Sequence, residues 1–262
     1  MADADTVRGA GLPDRLPAGP GSSGTAPADP DQAMTLVDHL SELRTRLVRA
    51  ILAVVVGSAI GFTFAEQLQL FLTSPLPASA LPLQTLAIGD AFAIRLRIAV
   101  TVGIILAMPV LLYQIAAFVG PGLTAGERRA LRPWIPLALF FFILGVTVAW
   151  IILPFTIQFL LGFTNAVVVD NLTATNYFDF VTTMFLAFGL LMEFPIVLFG
   201  LARVGILSSA RLAASRRFAL IGIAIFAAVV TPGGDPVSFI VLGATMYLLF
   251  ELTVFSIRRS GK

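Results

Sequence analysis

Cysteine is absent from the chain, which excludes disulfides, thiolate nucleophiles and cysteine-ligated zinc or iron–sulfur sites. His39 is the single histidine, too few imidazoles for a histidine-rich metal site. Charge is scarce: 12% of residues are Asp, Glu, Lys or Arg, against roughly 25% in typical globular chains. Also missing are a glycine-rich phosphate loop, a Ser/His/Asp or Cys/His set, and paired acids in a polar cleft. No catalytic residue, metal or cofactor is therefore assigned, and no nucleic-acid partner is expected. What the chain has instead is apolar sequence, 58% of its residues. A bilayer core roughly 30 Å thick takes about 20 apolar residues per helix, so the chain has room for about six spans with short loops.

Residues 1–33 are rich in Ala, Gly, Pro and Asp and poor in large apolar side chains. They cannot bury enough surface to offset chain entropy and read as a disordered cytoplasmic tail. Residues 34–49 read as an amphipathic interfacial helix. Thr35 and Asp38 have capping-box spacing, Val37, Leu40, Leu43 and Leu47 share one face, and Glu42, Arg46 and Arg49 share another. Residues 50–258 form the expected all-α, six-helix membrane domain, and 259–262 a cytoplasmic end.

Within the domain, span one runs from Ala50 to Phe71, followed by a loop marked by Pro75, Pro77 and Pro82. Span two runs from an N-cap at Asp90 to Ala117, with Pro109 as a kink. Span three covers Pro133–Leu153, and span four Tyr177–Ala202 after a polar loop at 164–176. Spans five and six, Phe218–Val230 and Val237–Phe250, are short, each giving only about 20 Å of helix. They fall roughly 10 Å short of a hydrocarbon core, so the bilayer beside this hairpin should thin. Of the Lys and Arg residues that flank the spans, thirteen fall on the side of the two chain ends and two, Arg95 and Arg97, on the other. The positive-inside rule then puts both ends in the cytoplasm.

Glu193 is the sharpest anomaly. It lies ten residues from Arg203, about 15 Å along a helix and near mid-bilayer, where a charge costs about 2.5–3.5 kcal/mol on insertion scales. Pro195 withholds a donor from the Leu191 carbonyl. Together they suggest a wet or partner-facing groove; a protonated acid bonded between helices is the alternative. Glu251 reads as an interfacial carboxylate or a local partner for arginine, and Asp235 as a cap for span six ahead of Pro236. Glu127, beside two arginines, reads as a solvated residue on spacing alone. Glu42 makes an i, i+4 pair with Arg46.

The same residues carry a resemblance. The run from His39 to Leu47, with Glu42, Arg44 and Arg46, resembles the amino-terminal signature of the TatC family, multispanning subunits of the twin-arginine protein translocase. The match continues through Tyr113-Gln114, Phe118–Leu123, Glu127-Arg128-Arg129, Phe188–Pro195, Thr231–Pro236 and Met246–Glu251. It implies a concave, glove-like bundle of six helices with Glu193 in its groove. It also implies recognition of folded cargo by twin-arginine signal peptides, with export driven by the proton-motive force across the cytoplasmic membrane. TatA and TatB, single-span subunits meeting spans five and six, are the implied partners, with membrane lipids and further copies of the chain. The signal-binding residues so implied are Glu42 and Glu127, with Arg44 and Arg128 holding the acids ionised and Phe118 nearby. Thr231, Asp235 and Glu251 fall to the partner interface. Phe239 departs from the family's pattern, which carries Gln after Asp-x-x-Ser. Without the resemblance, the residues also allow a proton-coupled small-solute transporter with Glu193 as its carrier.

Overall fold

Between Leu36 and Val56 neither glycine nor proline interrupts the chain, and a single helix, α1 (Leu36–Thr63), runs through it. The expected joint between an interfacial helix and span one at Ala50 is therefore corrected to one continuous rod. The computed structural model describes residues 36–124, 126, 129, 133–163, 172–203, 214–231 and 234–259. The tail 1–33, Thr35 of the capping box and residues 164–171 of the polar loop lie outside the described residues.

Span one also ends earlier than Phe71. Thr63 turns its hydroxyl back to the Ile60 carbonyl, Phe64 leaves the helical basin at φ −103°, ψ 11°, and a separate helix α2 (Ala65–Thr73) follows. The next helix, α3, spans Asp90–Val119 with Pro109 inside it. Asp90 does not cap it forwards. Its Oδ2 accepts the N–H groups of Leu86 and Ala87, each at 2.9 Å, and so ties off the loop that precedes the helix.

Helix α4 (Trp134–Leu161) passes through Pro154, where the expectation had ended span three at Leu153. The proline removes one backbone bond, but Ile152, Leu153, Thr156 and Ile157 on either side are all buried, and their packing holds the helix together. Span four is two helices, α5 (Ala174–Leu191) and α6 (Phe194–Arg203). The final pair is α7 (Arg216–Val230) and α8 (Pro236–Arg259).

Among the described residues, five segments are long and apolar enough to cross a membrane: Val37–Thr63, Asp90–Gly122, Trp134–Leu161, Ala174–Ala202 and Pro236–Ile257. The remaining expected span, α7, has 15 residues, about 22 Å of helix, and is short as expected. Span six is not. Its charge-free run stops at Phe250, but α8 continues for 24 residues in all, because Glu251 is paired within the protein and Leu252–Ile257 extends the apolar sequence.

Lipid offers helices no hydrophobic reason to associate, so close packing of small residues takes over. On α1, Gly57 meets Gly103 of α3 and Gly61 meets Ala99. A β-carbon at Gly103 would lie 2.2 Å from the Ser58 hydroxyl and 2.5 Å from its backbone nitrogen. The seam between α4 and α5 is reciprocal: Gly145 faces the Phe188 carbonyl, and Gly189 faces the Phe142 ring. Helix α5 is the most enclosed element, with Val181, Met184 and Phe188 at the centre of the core. Helix α2 joins this core through Tyr177, whose hydroxyl donates to the Leu72 carbonyl, and the loop after it through the Ala174 N–H, which donates to Gln84 O at 2.8 Å.

Candidate functional site

The first turns of α1 are built inside out relative to a soluble amphipathic helix. Val37, Leu40, Leu43 and Leu47 are exposed, the orientation a lipid-facing surface requires. Glu42 and Arg46 face the protein, their side chains only 16% and 20% exposed. The register that sets Gly57 against Gly103 carries on down the pair, and at its end the His39 ring stacks on Phe118 of α3, centroids 4.4 Å apart. The same register brings Gln114, itself buried, level with Arg46.

Glu42 Oε1 accepts both Nε of Arg46, at 2.8 Å, and Nη2. Its Oε2 is buried and has no hydrogen-bond partner among the described residues; His39 Nδ1 stands 3.8 Å from it, beyond hydrogen-bonding reach. The arginine bonded to Glu42 is Arg46, where the resemblance implied Arg44. Two residues along a helix is 200° of rotation, so Arg44 lies on the opposite face, exposed beside Ser41, Thr45 and Arg49. Glu127 and Arg128 lie outside the described residues. Sequence reasoning gave Arg46 a modest pairing role and His39 none; the i, i+4 spacing was the available signal for the first.

Glu193 stands where span four breaks. Its N–H donates to Leu190 O, and its own carbonyl receives both the Ile196 and Val197 N–H groups, so the chain restarts as α6 with Pro195 in the first turn. The residue is 8% exposed, and its Oε1 is buried without a partner among the described residues. Pro195 and Ile196 line an apolar pocket with Trp134, Leu137 and Phe141 of α4 and Leu249 of α8. Met192 and Glu193 are thus the point where a mid-span acid meets an interrupted backbone ladder.

Around the α7–α8 turn, the residues assigned to a partner interface are mostly committed internally. Thr231 is buried, its hydroxyl donating to the Ala227 carbonyl. Asp235 is 1% exposed and caps α8, its Oδ1 accepting the Ser238 N–H at 2.6 Å, while Oδ2 has no partner among the described residues. Gly234 adopts φ +63°, a conformation that suits glycine. Phe239 packs against the core, a place an amide would not share at no cost. Glu251 accepts from Arg216 Nη2 at 2.7 Å and from the Tyr247 hydroxyl at 3.2 Å, so the arginine it partners comes from the start of α7.

On the opposite side, Arg97 pairs with Asp179 of α5, and Arg95 lies 4.0 Å from Glu66 of α2. The two cations that dissent from the charge asymmetry each face an acid.

Residues 38–244 match the family model described as TatC, Sec-independent protein translocase protein. The Sec-independent protein translocase protein TatC of Carboxydothermus hydrogenoformans is 34% identical over 226 residues, 86% of this chain and 93% of that protein. TatC of Deinococcus radiodurans is 37% identical over 236 residues, 87% of each. A crystal structure of the twin arginine translocase receptor TatC superposes with a TM-score of 0.73 at 33% identity, covering 84% of this chain and 99% of that one. The TatC family is a family of translocase subunits, which displaces the solute-transporter reading. This chain, an all-α protein that spans the membrane several times, belongs to the TatC family of Sec-independent protein translocase proteins.

Proposed function

We propose that this chain is the signal-peptide receptor and core subunit of the twin-arginine translocase. It sits in the cytoplasmic membrane with both ends in the cytoplasm and exports folded cargo at the expense of the proton-motive force. The observation that carries the reading is Glu42: a largely buried carboxylate at the arginine-rich end of α1, already engaged by a guanidinium fork. A carboxylate that accepts one fork suits another, and lysine, a point charge on a flexible stem, cannot reproduce that geometry. A crystal structure similar to this chain is itself described as that of a twin arginine translocase receptor. Glu127 is the second acid by resemblance, with Arg128 beside it and Phe118 supporting α1 through His39.

TatA and TatB are the proposed partners, meeting the chain along α7 and α8. The internal bonds of Thr231, Asp235 and Glu251 give these residues the role of shaping that surface. Glu193 would present its carboxyl to cargo or partner segments from the break in span four.

The test is binding of the detergent-solubilised protein to a signal peptide carrying Arg-Arg, against the same peptide carrying Lys-Lys. A strong preference for Arg-Arg, lost in Glu127→Ala and reduced in Glu42→Ala, is the expected result. Equal binding of the two peptides by folded protein would refute it.

A further inference from the structure

Arg46 does to Glu42 what a signal arginine would do. Its Nε and Nη2 both reach Oε1, and the pair is enclosed enough that both side chains are four-fifths or more buried. Such a charge-assisted fork is stronger than an exposed helix-surface ion pair. The donor sits one turn away on the same rigid helix, so its effective concentration at the carboxylate is high. An incoming guanidinium therefore exchanges with a resident one.

We infer that Arg46 is a resident competitor at this site, an internal guanidinium that engages Oε1 of Glu42 until an arginine signal displaces it. The inference rests on the reading of Glu42 as part of the signal site. Exchange keeps the carboxylate charge-paired throughout, so the acid is at no point left uncompensated as ligand enters. The resident fork also sets a threshold. A signal lysine offers one strong point contact for the two bonds it must replace and loses the exchange, whereas arginine replaces both. Displacement lowers the affinity of every ligand at Glu42 by the same factor, so the difference between arginine and lysine remains that of the fork geometry itself.

The experiment measures binding of fluorescent signal peptides carrying Arg-Arg, Lys-Arg or Lys-Lys to the full detergent-solubilised chain. Arg46→Gln is expected to bind Arg-Arg on the order of tenfold tighter, since binding no longer carries the cost of displacement. The ratio between Arg-Arg and the lysine-containing peptides should stay the same, because every peptide gains by the same factor. Arg46→Lys, which keeps the charge but loses the fork, should tighten Arg-Arg binding by less. In a Glu42→Gln background the Arg46→Gln change should have no effect. Unchanged or weaker Arg-Arg binding in Arg46→Gln, with Glu42→Gln impaired, would overturn the displacement role and leave Arg46 as a support for Glu42. Unimpaired binding in Glu42→Gln would instead overturn the receptor reading of Glu42. Elution position in gel filtration reports folding; if Arg46→Gln fails to fold, Arg46→Lys decides.

Discussion

Thr156 of α4 and Ser238 of α8 share a hydrogen bond, 2.9 Å between their hydroxyl oxygens, with both residues wholly buried. It joins two helices 82 residues apart in sequence where no water competes, directly beside the Asp235 cap. Such interhelical bonds in membranes contribute about 0.6 kcal/mol on average and up to about 1.7. Thr156→Val, which keeps the shape and strands the serine hydroxyl, should lower the thermal unfolding temperature in detergent. Adding Ser238→Ala should restore part of the loss, since removing both partners is milder than orphaning one. Strictly additive losses would argue against a direct bond.

The α1–α3 seam gives a larger effect. Gly103→Leu must displace the Ser58 backbone, because even a β-carbon would meet Ser58 N at 2.5 Å. Overpacking of this kind costs about 1–3 kcal/mol. Fluorescence-detected gel filtration after a heat ramp should show an earlier loss of the monodisperse peak. Gly222→Ala on α7, where a β-carbon meets nothing within 4 Å, is the matched control and should be neutral or slightly stabilising.

Arg216→Gln and Glu251→Gln remove the two halves of one contact between α7 and α8. Both side chains are partly exposed, so the pair should contribute no more than about 1 kcal/mol. Each single variant should reduce stability slightly, and the double variant should do no worse than the sum of the two less their coupling. A double-mutant cycle on unfolding temperature measures that coupling; a value of zero would make the ion pair incidental.

Among the described residues α7 is the one short span, since α8 is full length. If local thinning of the bilayer beside α7 assists cargo passage, inserting one turn of Leu and Ala into α7 should impair export of a twin-arginine reporter. Binding of the signal peptide should be unchanged. Export at the normal rate would remove thinning from the mechanism.

The spans were legible because apolar runs of this length have one stable solution in a bilayer. Their ends were less so, for identifiable reasons. Pro154 looked like a terminus, yet buried neighbours on both sides carry α4 past it. Glu251 looked like the edge of the membrane, yet Arg216, 35 residues earlier, meets its charge. The break at Phe64 depends on backbone angles and a threonine hydroxyl bonded back to the Ile60 carbonyl, which no periodicity encodes. At the candidate site, the i, i+4 spacing paired Glu42 with Arg46, and only the resemblance brought in Arg44. The helical repeat keeps Arg46 beside Glu42 and turns Arg44 to the opposite face. Glu193 and Pro195 stood out because an acid and a proline within an apolar span each break a rule of that environment, and the helix does break there.

The glycine seam between α1 and α3 also gives biogenesis a direction. Every residue of that interface lies before residue 120, so the hairpin is complete in sequence while α4 to α8 are still to be synthesised. It needs no later partner to close, because its fit comes from backbone meeting backbone. The chain can therefore hand each emerging helix an already shaped wall, with the Glu42 end of α1 in place before the second half of the protein exists.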